Sequence, residues 1–284
     1  MSAYAQIRNV QIASSFNGIH SSGVAGTAFF MSRLENVQVY GAYDWAFLIE
    51  STLNTTLHLD TCYAVGPGSA IATAKGFKFV SCPTLTMTNC ACDWLAKGQA
   101  LFITSCNATI IGFQQEECDY TDDTASNTMF WFVDSEVTML NTRMYKSEVD
   151  CVGQDAYLFR VTDNARLHIE NLSQNLLTET AGTYYSINCA TDSEVTVDNW
   201  LDTDPAGDTN DASPYRIKRI NGNIRQFTLG TKKWSYGTAA PVAGDWVRGD
   251  VFINTAPSAT GYIGWSCVTA GTPGTWKGFG VIQA

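Results

Sequence analysis

The sequence predicts an all-β chain: a parallel β-solenoid of about eight coils over residues 1–223, followed by a small antiparallel β module over residues 224–284. Three observations carry the prediction. A short pattern, apolar–any–apolar with a small or amide residue two positions on, returns down the chain. Apolar residues alternate with period two inside that pattern and the segments around it, which means strands. Near residue 224 the repeat gives way to a stretch dense in Gly, Pro, Thr and Trp.

The repeat pairs are Val10/Ile12, Val37/Val39, Leu57/Leu59, Leu85/Met87, Thr109/Ile111, Val137/Met139, Leu167/Ile169 and Val195/Val197, with intervals of 27, 20, 28, 24, 28, 30 and 28 residues. From Gly76 onward a second apolar segment precedes each pair across a polar turn, as in GFKFVSC, ALFITSC and MFWFVDS. Each unit therefore reads as strand, turn, strand, turn, short third strand and variable loop. One unit cannot bury its apolar face alone, so units stack in parallel about 4.8 Å apart. Two residues after the second apolar position lie Ser14, Gly41, Thr61, Asn89, Phe113, Asn141, Asn171 and Asn199. Asparagine tolerates left-handed backbone, and its amide can bond the same side chain one rung away, so an Asn ladder is expected at this bend. The tail, with VRGDVFIN and GYIGWSCVTA between turn signals, reads as short antiparallel strands. Its Arg248-Gly249-Asp250 triplet falls in a strand and reads as a chance match.

Composition bounds the function. Charged residues make up 15% of the chain and apolar ones 45%, which excludes disorder. With 17 basic against 27 acidic residues the net charge is -10, which argues against nucleic acid and anionic membrane as partners. No apolar run approaches a membrane span, and no secretory signal is expected. The nine cysteines, an odd number lying mostly in strand-like segments, read as reduced core thiols made in a cytoplasm. Neither a metal site nor a cofactor is expected; the Asp spacing of LDTDPAGDTNDAS matches a calcium loop only weakly.

Stacked coils with an Asn ladder resemble the right-handed, single-stranded parallel β-helix of the pectate-lyase-like proteins. The tail, APVAGDWVRGDVFINTAPSATGYIGWSCVTAGTPGTWKGFG, resembles the closing module of bacteriophage tailspike and tail-fibre depolymerases. The resemblance implies a homotrimer on the virion tail, assembled in the host cytoplasm beside other phage tail proteins. It would bind and cleave a bacterial surface polysaccharide, capsule or O-antigen. The alternative is a non-catalytic spike tip or C-terminal fragment serving glycan adhesion and trimer assembly; a third reading is a free β-helix enzyme acting on pectin-like substrates. The tail module would trimerise or bind glycan.

Aligning the first strands on their closing Ser or Cys leaves Lys78, Phe102, Trp131 and Arg160 outward and side by side. Rings stack on sugar faces and cations hold uronate or sialate carboxylates, so this stripe is the candidate substrate-binding row; it is equally a candidate trimer interface. Asp134, Asp163 and Asp192 recur in the first turn, as turn formers or as a ladder holding a cation or a raised-pKa acid. Acids crowd the loops 114–127, 145–155 and 201–213. Glycoside hydrolysis needs two carboxyl groups, and Glu117 with Asp119 or Asp134 is the expected catalytic set. A lyase would instead use Tyr145 or Lys146 as base beside Arg143. His58 and His168 point outward from strands and read as surface residues.

Overall fold

The computed structural model describes residues 5–13, 16–21, 31–50, 55–66, 74–95, 99–118, 128–149, 155–179, 183–190, 192–202, 208–211, 217–222, 226–229 and 232–283. They are all β, in two sheets of 13 strands each, and every pairing before Lys232–Gly237 is parallel. The chain winds as a parallel β-solenoid with three strand faces. The first face stacks Trp45–Glu50, Lys75–Val80, Leu101–Thr104, Thr128–Val133 and Asp155–Thr162. The second stacks Thr56–Asp60, Thr84–Thr88, Asn107–Ile111 and Glu136–Leu140, and the third Tyr63–Val65, Ala91–Asp93, Gln114–Glu116 and Arg143–Val149.

The solenoid has about five turns, not eight coils. Toward both ends the bend between second and third faces opens into continuous strand: Ser32–Tyr40 and Arg166–Glu179 each run through it and pair on both faces. This fuses the two faces into one sheet.

Two strand frames differ from the sequence reading. Val10/Ile12 and Val37/Val39 stand after the bend, because Gln38–Tyr40 pairs with Tyr63–Val65, while Leu34 stacks on Leu59. The odd interval of 20 arose from comparing a third-face pair with a second-face one. In the fifth unit Ala108 and Ile110 are buried rather than Thr109 and Ile111, since Ala108 stacks on Leu85 and Ile110 on Met87. A one-residue slip exchanges inside for outside.

With the frames corrected, the bend residues are Asn9, Asn36, Thr61, Asn89, Gly112, Asn141, Asn171 and Asn199, all at φ between 51 and 67. Gly41 and Phe113 are not among them, and Ser14 lies outside the described residues. Asn36 donates from Nδ2 to Asn9 Oδ1 at 2.9 Å, Asn171 to Asn141 at 3.1 Å and Asn199 to Asn171 at 2.6 Å. Gly112 breaks the amide file, and a Cβ there would stand 2.8 Å from Asn89 Oδ1.

The core is the tube interior. Phe47 and Phe77 stack at 4.6 Å, Phe113 meets Phe77 and Phe130 edge-on, and Phe130 stacks on Phe159 at 5.0 Å. All five rings are fully buried. The described cysteines are free and buried, several as like-on-like pairs at the corners. A bond from the Cys90 thiol lowers Cys62 below the ordinary thiol range, and that bond with burial raises Cys90.

The C-terminal strands continue the first-face sheet, and they are mixed rather than purely antiparallel. Gln226–Leu229 pairs antiparallel with Lys232–Gly237, but Lys232–Gly237 pairs parallel with Val251–Asn254; Tyr262–Thr269 and Thr275–Val281 then add antiparallel. The link over 238–250 is a crossover rather than a tight turn, which lets the next strand enter in the same direction. Asp250 is fully buried and accepts from the Val247 N–H at 2.7 Å and the Lys233 N–H at 3.0 Å. It ties the crossover down: the Arg248-Gly249-Asp250 triplet lies in the turn before Val251–Asn254 rather than in a strand, and its buried aspartate is not presented to a receptor.

Candidate functional site

On five successive rungs the residue four positions after the bend points outward; it ends the strand in Ser32–Tyr40, Tyr63–Val65, Ala91–Asp93 and Gln114–Glu116, while Arg143–Val149 runs on past it. Parallel register files these residues as Tyr40, Val65, Asp93, Glu116 and Tyr145. The following residues turn the third corner: Gly66, Trp94 and Glu117, whose N–H groups bond Asp93 O at 2.8 Å, Glu116 O at 3.1 Å and Tyr145 O at 3.0 Å on the next rung. Trp94 and Glu117 hold φ of 54 and 49, a left-handed backbone that neither residue type favours. Tyr40, Val65, Asp93, Trp94, Glu116 and Glu117 line a groove of about 360 Å³.

Three carboxyl groups share this groove. Burial first, then the neighbouring Glu116 and Glu117 charges, push the Asp93 carboxyl above its ordinary range. Trp94, 54% exposed, donates its indole N–H to Glu117 Oε2, which fixes that carboxylate against an aromatic platform. A carboxyl raised by burial, two further carboxyl groups one rung away and an exposed ring form a constellation suited to general acid–base work beside a stacking surface.

The first face carries the second arrangement. Leu48, Lys78, Phe102, Trp131 and Arg160 lie in one register file, half-buried apart from the buried Leu48, while the intervening Phe77, Phe79, Ile103, Phe130 and Phe132 are buried. Lys78 pairs with Glu50 and stands 5.7 Å over the Phe102 ring; Phe102 meets Trp131 edge-on at 5.3 Å; the Arg160 guanidinium lies 4.6 Å over Trp131.

The structure thus brings Lys78, Phe102, Trp131 and Arg160 together and sets Glu117 in the groove. Asp134 is at a different corner, after the first face. It holds φ 44, bonds its N–H to Thr162 O at 3.2 Å and accepts from Ser105 Oγ at 3.2 Å, as a turn former does. Asp119 and the acids of its loop through 127 lie outside the described residues, as do the side chain of Lys146 and the acidic side chains at 148–155 and 202–211. Arg143 and Tyr145 are close, the guanidinium 5.7 Å over the ring. His58 is exposed and His168 half-buried on outward second-face positions.

Asp93 and Trp94 went unread in the sequence, although the signal was present. Counted from the bends at Asn89 and Gly112, Asp93-Trp94 and Glu116-Glu117 occupy equivalent positions; placing the fifth bend at Phe113 hid the match. No family model, curated protein or solved structure matches this chain.

Proposed function

We propose that this chain is a phage tailspike-type receptor-binding protein that binds and hydrolyses a bacterial surface polysaccharide. The observation that carries the reading is the groove with Asp93, Glu116 and Glu117 beside exposed Trp94. Asp93, whose carboxyl is pushed above the ordinary range by burial and its acidic neighbours, is the general acid; Glu116 or Glu117 is the nucleophile or base; Trp94 and Tyr40 stack on the sugar. Rungs about 4.8 Å apart come nearest to the roughly 5 Å carboxyl separation of retaining glycosidases. The Lys78–Arg160 file would bind a further part of the glycan. Right-handed winding is the sense expected of parallel crossovers.

A homotrimer on the virion tail, beside other tail proteins, is part of the same reading. Over residues 232–283 only Asp250, Gly264 and Cys267 are buried, while Val242 and Val281 are 88% and 65% exposed. A β module with so little core of its own gains stability by burying apolar surface against other copies.

The test is incubation with capsular and O-antigen polysaccharides. Wild type is expected to release new reducing ends from at least one, with Asp93→Asn and Glu117→Gln losing two or more orders of magnitude in kcat, on the order of an acid–base contribution. A folded wild type that binds a glycan and never cleaves it assigns the chain to the non-catalytic spike-tip reading; light scattering that gives a monomer removes the trimer.

A further inference from the structure

Within the reading as a glycan-binding protein, we infer that Arg160, stacked on Trp131, anchors the carboxylate of an acidic sugar at a site on the first face, separate from the acidic groove.

The cations of this face are not equivalent. Lys75 is held by Asp44 at 3.5 Å and Lys78 by Glu50, and both also stand over Trp45. The Arg160 side chain has neither a carboxylate partner nor a hydrogen bond among the described residues. Rings hold it instead: Trp131 at 4.6 Å and Tyr157 at 5.6 Å from the guanidinium carbon. Its Nε is closed off from solvent without an acceptor. Trp131 is itself pinned, donating its indole N–H to Thr162 Oγ1 at 3.3 Å and meeting the Phe102 edge.

A guanidinium oriented by two rings, with its Nε already closed off from water, has gained no counter-charge in exchange among the described residues. Its planar fork matches a carboxylate through paired charge-assisted bonds, and little side-chain freedom remains to be lost on binding. Trp131 and Phe102, half-buried beside it, supply apolar surface for the ring that bears the carboxylate. The groove has the opposite preference, because the Glu116 and Glu117 carboxyl groups that push Asp93 up also repel an anion. An acidic residue of the glycan therefore belongs at Arg160 and a neutral one in the groove.

The experiment titrates the full chain with oligogalacturonate, with oligosialic acid and with the carboxyl-reduced form of each, reading tryptophan fluorescence and calorimetry. Arg160→Gln and Arg160→Lys are compared with wild type after circular dichroism and melting establish that they fold. At least one acidic oligomer is expected to bind saturably, more weakly at high salt. Affinity should fall about tenfold or more in Arg160→Gln, as loss of a charged hydrogen-bond pair predicts, and Arg160→Lys should restore it only in part. Equal affinity in Arg160→Gln, equal affinity for the carboxyl-reduced sugar, or no binding of either acidic oligomer overturns the inference. So does a change of oligomeric state in Arg160→Gln with binding intact, which gives the row to an interface. Cleavage of a neutral glycan at the wild-type rate by Arg160→Gln, with no acidic sugar bound by either protein, sinks this inference and leaves the hydrolase standing. Acidic binding that depends on Arg160 without cleavage of any polysaccharide does the reverse.

Discussion

Asn171 occupies the middle of the best-formed stretch of the amide file, donating to Asn141 at 3.1 Å and accepting from Asn199 at 2.6 Å, with φ of 57. Two contributions are separable there. Each amide bond is worth about 0.5–1 kcal/mol at an exposed position, so losing both costs about 1–2 kcal/mol. A Cβ in left-handed backbone costs about 1 kcal/mol more for Ala than for Asn, which tolerates that region. Asn171→Ala loses both and should destabilise by about 2–3 kcal/mol. Asn171→Gly keeps the backbone at ease and loses only the bonds, about 1–2 kcal/mol. The assay is urea unfolding followed by tryptophan fluorescence, Trp200 being fully buried one rung away. Glycine proving more harmful than alanine would refute the left-handed bend, and wild-type stability in both variants would refute the ladder.

Three further perturbations test other parts of the structure. Phe130→Ala empties the ring between Phe113 and Phe159 and should cost about 3–5 kcal/mol in urea unfolding; under 1 kcal/mol would place the aromatic file outside the core. Gly76→Ala sets a Cβ 2.3 Å from Ala100 O and 2.5 Å from Cys92 Sγ, so a loss of about 1–3 kcal/mol is expected, and an unchanged melting temperature would deny that close approach. Asp93 is raised in the fold, so folding takes up a proton above the ordinary carboxyl range and its contribution weakens stability as pH rises through the raised pKa. Asp93→Asn should therefore raise the melting temperature at pH values above that pKa and flatten its fall with pH; a variant less stable than wild type at neutral pH would contradict the assigned burial and repulsion.

How far the sequence could be read depends on which interactions repeat. Period-two alternation and the return of amide residues near every twenty-eight positions gave the solenoid, because both follow from burying one side of a strand and bending sharply after it. The first-face file was readable for the same reason: Phe77/Phe79, Leu101/Ile103 and Phe130/Phe132 lock the frame, and the outward residues follow. Frame errors arose where inward positions are weakly marked. In ATIIGF, apolar residues fill both faces, and only the bend at Gly112 tells Ile110 from Ile111. The mixed tail was illegible for another reason: the direction of the strand after residues 238–250 depends on the crossover that Asp250 secures, a nonlocal bond that leaves no period.

The same register logic explains why the two candidate sites have opposite character. A solenoid turns spacing along the chain into adjacency, so a residue at a fixed offset from the bend meets its counterparts on neighbouring rungs whether or not they attract. Thr86, Thr109 and Thr138 stack in one such file without charge conflict. Asp93 on Glu116 is a conflict, and burial deepens it. Nothing in the winding of the coil requires carboxylates there, since Val65 and Tyr145 satisfy the same backbone position. A repeat that tolerates valine and tyrosine yet carries two stacked acids, with a third beside them and a tryptophan turned outward, spends stability that the fold itself does not need. That expense at one corner is the physical argument for chemistry in the groove, and relief of it on Asp93→Asn, with activity lost in the same protein, is what the argument demands.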